Sequence, residues 1–126
     1  MTNACACGLP AAYNACCGRY HSGELYLRAP TPEALMRSRY TAFVRKLRPY
    51  LLATWHVSTR PPRLDFEAGM VWLGLTVERT ATSDADHGIV AFTARSKLRG
   101  QLLQLHETSR FVREAELWYY VDGDIA

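Results

Sequence analysis

Beyond Cys17 this 126-residue chain contains no cysteine, so its body can hold no disulfide and offers no thiol nucleophile. It has no apolar run long enough to span a bilayer. The charged-then-apolar pattern of a secretory signal is missing too, because cysteines begin at position 5. The expected home is therefore the cytoplasm, where clustered thiols favour metal over disulfides. Repeats and low-complexity tracts are absent. No glycine loop could cradle phosphate, since Gly69 and Gly74 stand alone. Ser38 and Ser109 lack a glycine-flanked elbow. These gaps leave no catalytic residue to name and lean against an enzyme. The formal charge of +3 is modest and its basic residues are scattered, so specific nucleic-acid binding is not expected.

What the chain does have is a crowded start. Cys5-Ala6-Cys7 is followed, after an eight-residue loop, by the adjacent pair Cys16-Cys17. Four thiolates so close in sequence can close a tetrahedral site around a borderline-soft cation such as Zn²⁺ with no other ligand. Gly8 helps the chain turn so that the first pair shares a centre. A disulfide between adjacent cysteines would strain the peptide between them. A structural metal at Cys5, Cys7, Cys16 and Cys17 is the first reading; redox or disulfide chemistry and unliganded thiols are the alternatives. His21 could stand in for one cysteine. The first twenty or so residues hold few large apolar side chains and need such a staple to order.

The rest divides by period. Arg28-Ala29-Pro30 reads as a linker, giving an expected division into a zinc-binding segment (1–28) and a body (29–126). Thr31 as cap, Pro32 at the first helical position and Glu33 in the first turn announce a helix. Leu35, Met36, Tyr40, Phe43, Val44 and Leu47 follow at helical spacing. A shorter helix after Pro49 carries Leu51, Leu52 and Trp55 on one side, and Pro61-Pro62 ends that region. From Val71 the spacing alternates. Val71, Leu73, Leu75 and Val77 are expected on one strand face, then Val90, Phe92, Ala94 and Leu98, then Leu103, Leu105 and Phe111, then a run from Leu117 to Val121. Helices first and four strands afterwards predict an α+β fold, an antiparallel meander with helices on one face.

Two charged residues fall where apolar ones are expected. Arg39 lies in the helical row Leu35–Arg39–Phe43, and Glu107 shares a strand face with Leu103, Leu105, Ser109 and Phe111. Burying either alone is costly, so pairing is expected. The pair is either a structural tie between helix and sheet or the floor of a ligand pocket that Trp55, His56 and Trp72 would border. His106 and Arg110 take the opposite strand face. Trp118-Tyr119-Tyr120 alternates as core and edge packing rather than as a base-stacking platform.

Cys5-Ala6-Cys7-Gly8, Tyr13 and Cys16-Cys17-Gly18 resemble the SEC-C zinc motif, which also occurs at the C-terminal tail of the SecA translocation ATPase. The stretches 16–21, 31–40, 50–56, 72–75, 105–111 and 118–123 resemble the bacterial YchJ-like family, which pairs that motif with a nuclear transport factor 2-like domain. One departure is Leu9-Pro10, where the pattern usually continues Ser-Gly. The resemblance implies a cystatin-like curved sheet with a pocket between sheet and helices, and a structural zinc. By analogy with SecA it implies a docking element for a protein partner, with ribosome association as one form. The alternative is a small-molecule-binding domain or enzyme using a pocket around Arg39 and Glu107, since many proteins of that fold are isomerases or dehydratases. A weaker reading is RNA contact through Arg19, Arg37, Arg45, Lys46 and Arg48.

Overall fold

A computed structural model describes residues 4–126. Its organising element is helix α2 (Pro32–Arg45), preceded by a 3₁₀ turn (Tyr13–Ala15) and the single-turn α1 (Gly18–His21). The start of α2 is as its sequence dictates. Thr31 Oγ1 accepts the Ala34 N–H at 3.0 Å, Pro32 begins the first turn, and Glu33 pairs with Arg37 one turn on at 2.8 Å. The helix stops when Lys46 turns left-handed, at φ 59°. Leu47 N–H then reaches Ala42 O (2.8 Å) and Lys46 N–H reaches Phe43 O (3.3 Å), the paired closure of a Schellman end. Helix α3 (Arg48–Ala53) follows at once, burying Tyr50 and Leu51.

Four antiparallel strands complete the fold in the order β1-β2-β3-β4: β1 (Met70–Asp84), β2 (His87–Leu98), β3 (Gln101–Glu114) and β4 (Leu117–Ile125). The curved sheet lays its concave face on α2, burying Leu75, Val90, Phe92, Ala94, Phe111 and Trp118 against Leu35, Met36 and Tyr40. Its far edge is not bare. Residues just after α3 run beside β4, with Tyr120 N–H on Thr54 O (2.8 Å) and His56 N–H on Tyr120 O (2.7 Å). Trp55 therefore lies past the end of α3 rather than on it.

A second expectation is corrected. Val71 and Leu73 do not share a face with Leu75 and Val77; they are 54% and 51% exposed. The register with β2 slips between Trp72 and Gly74, leaving Leu73 as an extra residue in a bulge. A bulge inverts the inside–outside phase of everything before it. Trp72 thus turns inward, its ring 5.7 Å from Tyr40 and 6.1 Å from Phe43. Among the described residues no helix is long and apolar enough to cross a membrane.

Candidate metal centre

Local turns bring the cysteines together. Gly8 N–H closes back on Cys5 O at 3.3 Å, and Gly8 has φ 98° with Leu75 O only 3.2 Å from where a Cβ would stand. The loop returns through Cys5 N–H on Ala11 O (2.8 Å) and an Ala4–Ala12 bridge, so Leu9-Pro10 is accommodated at its exposed tip. Cys16 N–H bonds Tyr13 O at 3.0 Å, and Cys17 leads into α1. At Gly18 a Cβ would come within 2.8 Å of Tyr13 O, so the residue after the second pair is held to glycine.

The four Sγ atoms lie within 4.8 Å of one another, with Cys7 and Cys16 at 3.6 Å, and all four cysteines are 4% exposed or less. They are free thiols, not disulfides. A regular tetrahedron with Zn–S bonds of about 2.3 Å has edges of about 3.8 Å, so the donor set fits that ion's size and coordination number. The electrostatics point the same way. Cys7 is drawn down to about 5, first by the Cys17 thiol and further by the Leu9 N–H and the Cys16 and Cys5 thiols. That one thiolate, with burial, pushes its neighbours up: Cys16 to about 11, chiefly by burial, and Cys17 strongly, chiefly by its bond to Cys7. Ionisation is therefore favoured at Cys7 and opposed at Cys16 and Cys17, and a bound divalent cation would relieve that opposition.

Side chains of the body complete the surround. Thr41, fully buried on α2, places Oγ1 3.6 Å from Cys5 Sγ. Arg37 donates to Cys7 O at 2.7 Å, and Arg19 to Cys16 O at 2.9 Å. His21 is not a ligand. Its Nε2 donates to Ser38 O (2.8 Å), so its Nδ1 accepts the Tyr13 hydroxyl (2.6 Å), and burial holds the ring's pKa below the ordinary value. The Arg45 guanidinium lies 3.3 Å from the Tyr13 ring centroid. The cysteines and Tyr20 consequently belong to the same buried cluster as Leu35 and Leu75. Thr41 escaped the sequence reading and Ser38 entered it only as a nucleophile candidate, although polar residues facing inward on a helix mark a second packed layer.

The other expected site residues do not gather into one cavity. Arg39, 6% exposed, donates to Leu51 O (2.8 Å) and Thr54 Oγ1 (2.7 Å), with its guanidinium 4.7 Å from the Tyr120 ring and 5.2 Å from the Trp55 ring. Glu107 is not its direct partner. The carboxylate accepts Ser109 Oγ at 2.5 Å and packs over Gly123, where no side chain obstructs it. It acts on Arg39 from farther off and, after burial, helps push Tyr120 up to about 12. Trp55 Nε1 is buried without a hydrogen-bond partner. His56 Nδ1 accepts the Ser58 N–H (3.1 Å), while its Nε2 lies 3.0 Å from Glu114 Oε2, too far off line for a hydrogen bond. Trp72 lies apart, against Phe43. Of the basic residues read as an RNA contact, Arg19, Arg37, Arg45 and Arg48 are all engaged internally.

Comparison with known proteins agrees with this geometry. Residues 31–123 match the family described as the YchJ, middle NTF2-like domain. UPF0225 protein BPP1723 of Bordetella parapertussis is 54% identical over 123 residues, covering 97% of this chain and 92% of its own length. A relative from Polaromonas sp. is 55% identical over 120 residues, covering 94% and 86%. The solution structure of RPA3114, a SEC-C motif containing protein from Rhodopseudomonas palustris, is similar with TM-score 0.85 at 30% identity, covering 98% of both chains. A SEC-C motif containing protein from Psychrobacter arcticus gives TM-score 0.78, also at 30% identity, over 100% of this chain and 83% of the other.

Proposed function

The chain belongs to the YchJ-like family, and from that premise we propose that it is a zinc-binding docking protein. Its knob is stapled by Cys5, Cys7, Cys16 and Cys17, and its sheet-and-helix body carries that knob. One observation carries the reading: four buried thiols whose Sγ atoms all lie within 4.8 Å of one another. The SEC-C likeness of the two solved neighbours supports it. Zinc there would supply structural closure only, since four cysteines leave no open coordination position for a substrate. The surrounding residues would then hold the knob in one pose, Arg37 and Thr41 from α2 and the Leu75 backbone from β1. A rigid, metal-fixed segment suits recognition by a protein partner, of which a ribosome-associated one is a form.

The test is metal content on untagged protein. Wild type is expected to carry one zinc per chain. Cys16→Ser and Cys17→Ser should lose it while the strands keep their far-ultraviolet signature. Equal zinc in wild type and both variants, or none in wild type with four titratable thiols, would sink the assignment.

A further inference from the structure

Away from the cysteines, the end of α2, the segment before β1 and the first residues of β1 enclose a cleft of about 390 Å³. Phe43, Phe66, Met70 and Trp72 line it, together with the exposed Lys46, Asp65 and Glu67. The volume and the apolar lining with few polar groups are those of a small-molecule site. The bulge at Leu73 makes this cleft, because it turns Trp72 inward beside Phe43 instead of outward.

We propose that this cleft binds a small organic cation, an ammonium joined to an apolar or aryl group. Aromatic rings present electron-rich faces that attract cations. Phe43 packs edge-on to Phe66 (89°, 6.2 Å) and tilted to Trp72 (54°), so the rings do not stack shut on one another. Phe66 already receives the Arg48 guanidinium at 5.3 Å, while none of the described cations sits on Phe43 or Trp72. The C-terminal end of α2 contributes the negative end of its dipole. Glu67 has no ion-pair partner among the described residues, whereas Asp65 is held by Arg63 at 2.9 Å. Lys46 and the Arg48 guanidinium on Phe66 are the opposing charges. An anion would gain those two but meet the unpaired Glu67, the helix end and the ring faces, with Asp65 already held by Arg63.

This site is independent of the metal reading and is tested on the full chain. Benzyltrimethylammonium and benzoate share the ring and differ in charge, and ¹H–¹⁵N spectra report at the Trp72 indole. The cation is expected to give saturable shifts there and to bind roughly tenfold tighter than benzoate. Glu67→Gln and Lys46→Gln alter exposed side chains and should leave the fold intact. The first should weaken cation binding by about two- to fivefold and the second should tighten it by a similar factor. Opposite signs cannot arise from general loosening of the protein. No saturable shift at Trp72, equal or tighter binding of benzoate, or both variants moving affinity the same way would overturn the proposal.

Discussion

Helix α2 buries a charged cluster on each of two faces, and the clusters solve the same problem differently. On the knob side lie four clustered thiols, of which Cys7 is drawn toward the thiolate while Cys16 and Cys17 are pushed away from it. On the sheet side lies Arg39, whose charge is met within the chain by Leu51 O, Thr54 Oγ1 and the faces of Trp55 and Tyr120. The sheet side meets that charge from within, although Trp55 Nε1 there is buried without a partner. The knob side instead gathers four donors that could hold a metal ion. Burial by itself therefore does not mark a functional site; an unbalanced set of donors does.

Changes at Arg39 should give the largest effects on this comparison. Arg39→Ala removes a buried stem along with the charge and should cost about 3–5 kcal/mol in denaturant unfolding. Arg39→Met keeps the stem and relieves a desolvated charge, so it should stay within about 1–2 kcal/mol of wild type. If both variants are equally damaged, the guanidinium is more than a self-contained tie. On the opposite face, Thr41→Val keeps the shape and deletes the hydroxyl beside Cys5. Zinc should then bind about 10-fold more weakly in chelator competition, with Thr41→Ser restoring it. Unchanged affinity would show that α2 merely touches the knob.

Alkaline pH probes the buried phenols by proton linkage. Tyr50 and Tyr120 are each pushed up to about 12, chiefly by burial. A raised folded pKa means the native state keeps protons that the unfolded chain has released. The stability from these phenols is thus whole below about pH 10 and falls as pH rises toward 12. Tyrosinate absorbance should show both groups ionising together with unfolding; ionisation at ordinary pH with the fold intact would contradict their burial. The smallest effect belongs to the β3–β4 turn, where Ala115 and Glu116 both have positive φ, 50° and 66°. Glu116→Gly should stabilise by about 0.5–1 kcal/mol without altering metal content, read from thermal melts.

Much was legible in the chain because the signals are local. The cap and proline of α2, the alternation of the strands and the spacing of the cysteines each act within a few residues. The cluster itself is where the spacing placed it, with Gly18 held by its clash with Tyr13. Two features were not legible. The strand phase before Gly74 depends on one extra residue accommodated against β2, and alternation in a single strand carries no sign of its partner's register. Arg39 and Glu107 do lean into the same space. Their partners, Thr54 and Ser109, come from other hydrogen-bonding opportunities there, which spacing along one element cannot rank.

By itself, then, the sequence determined the elements, their order and a four-thiol cluster, since each rests on residues that meet through short stretches of backbone. Only the tertiary structure decided that α2 would be shared between knob and sheet, that Trp72 would turn into a cleft, and that Arg39 would have no carboxylate as a direct partner. Those outcomes depend on which surfaces meet across the fold, where packing and desolvation are settled jointly by residues distant in the chain.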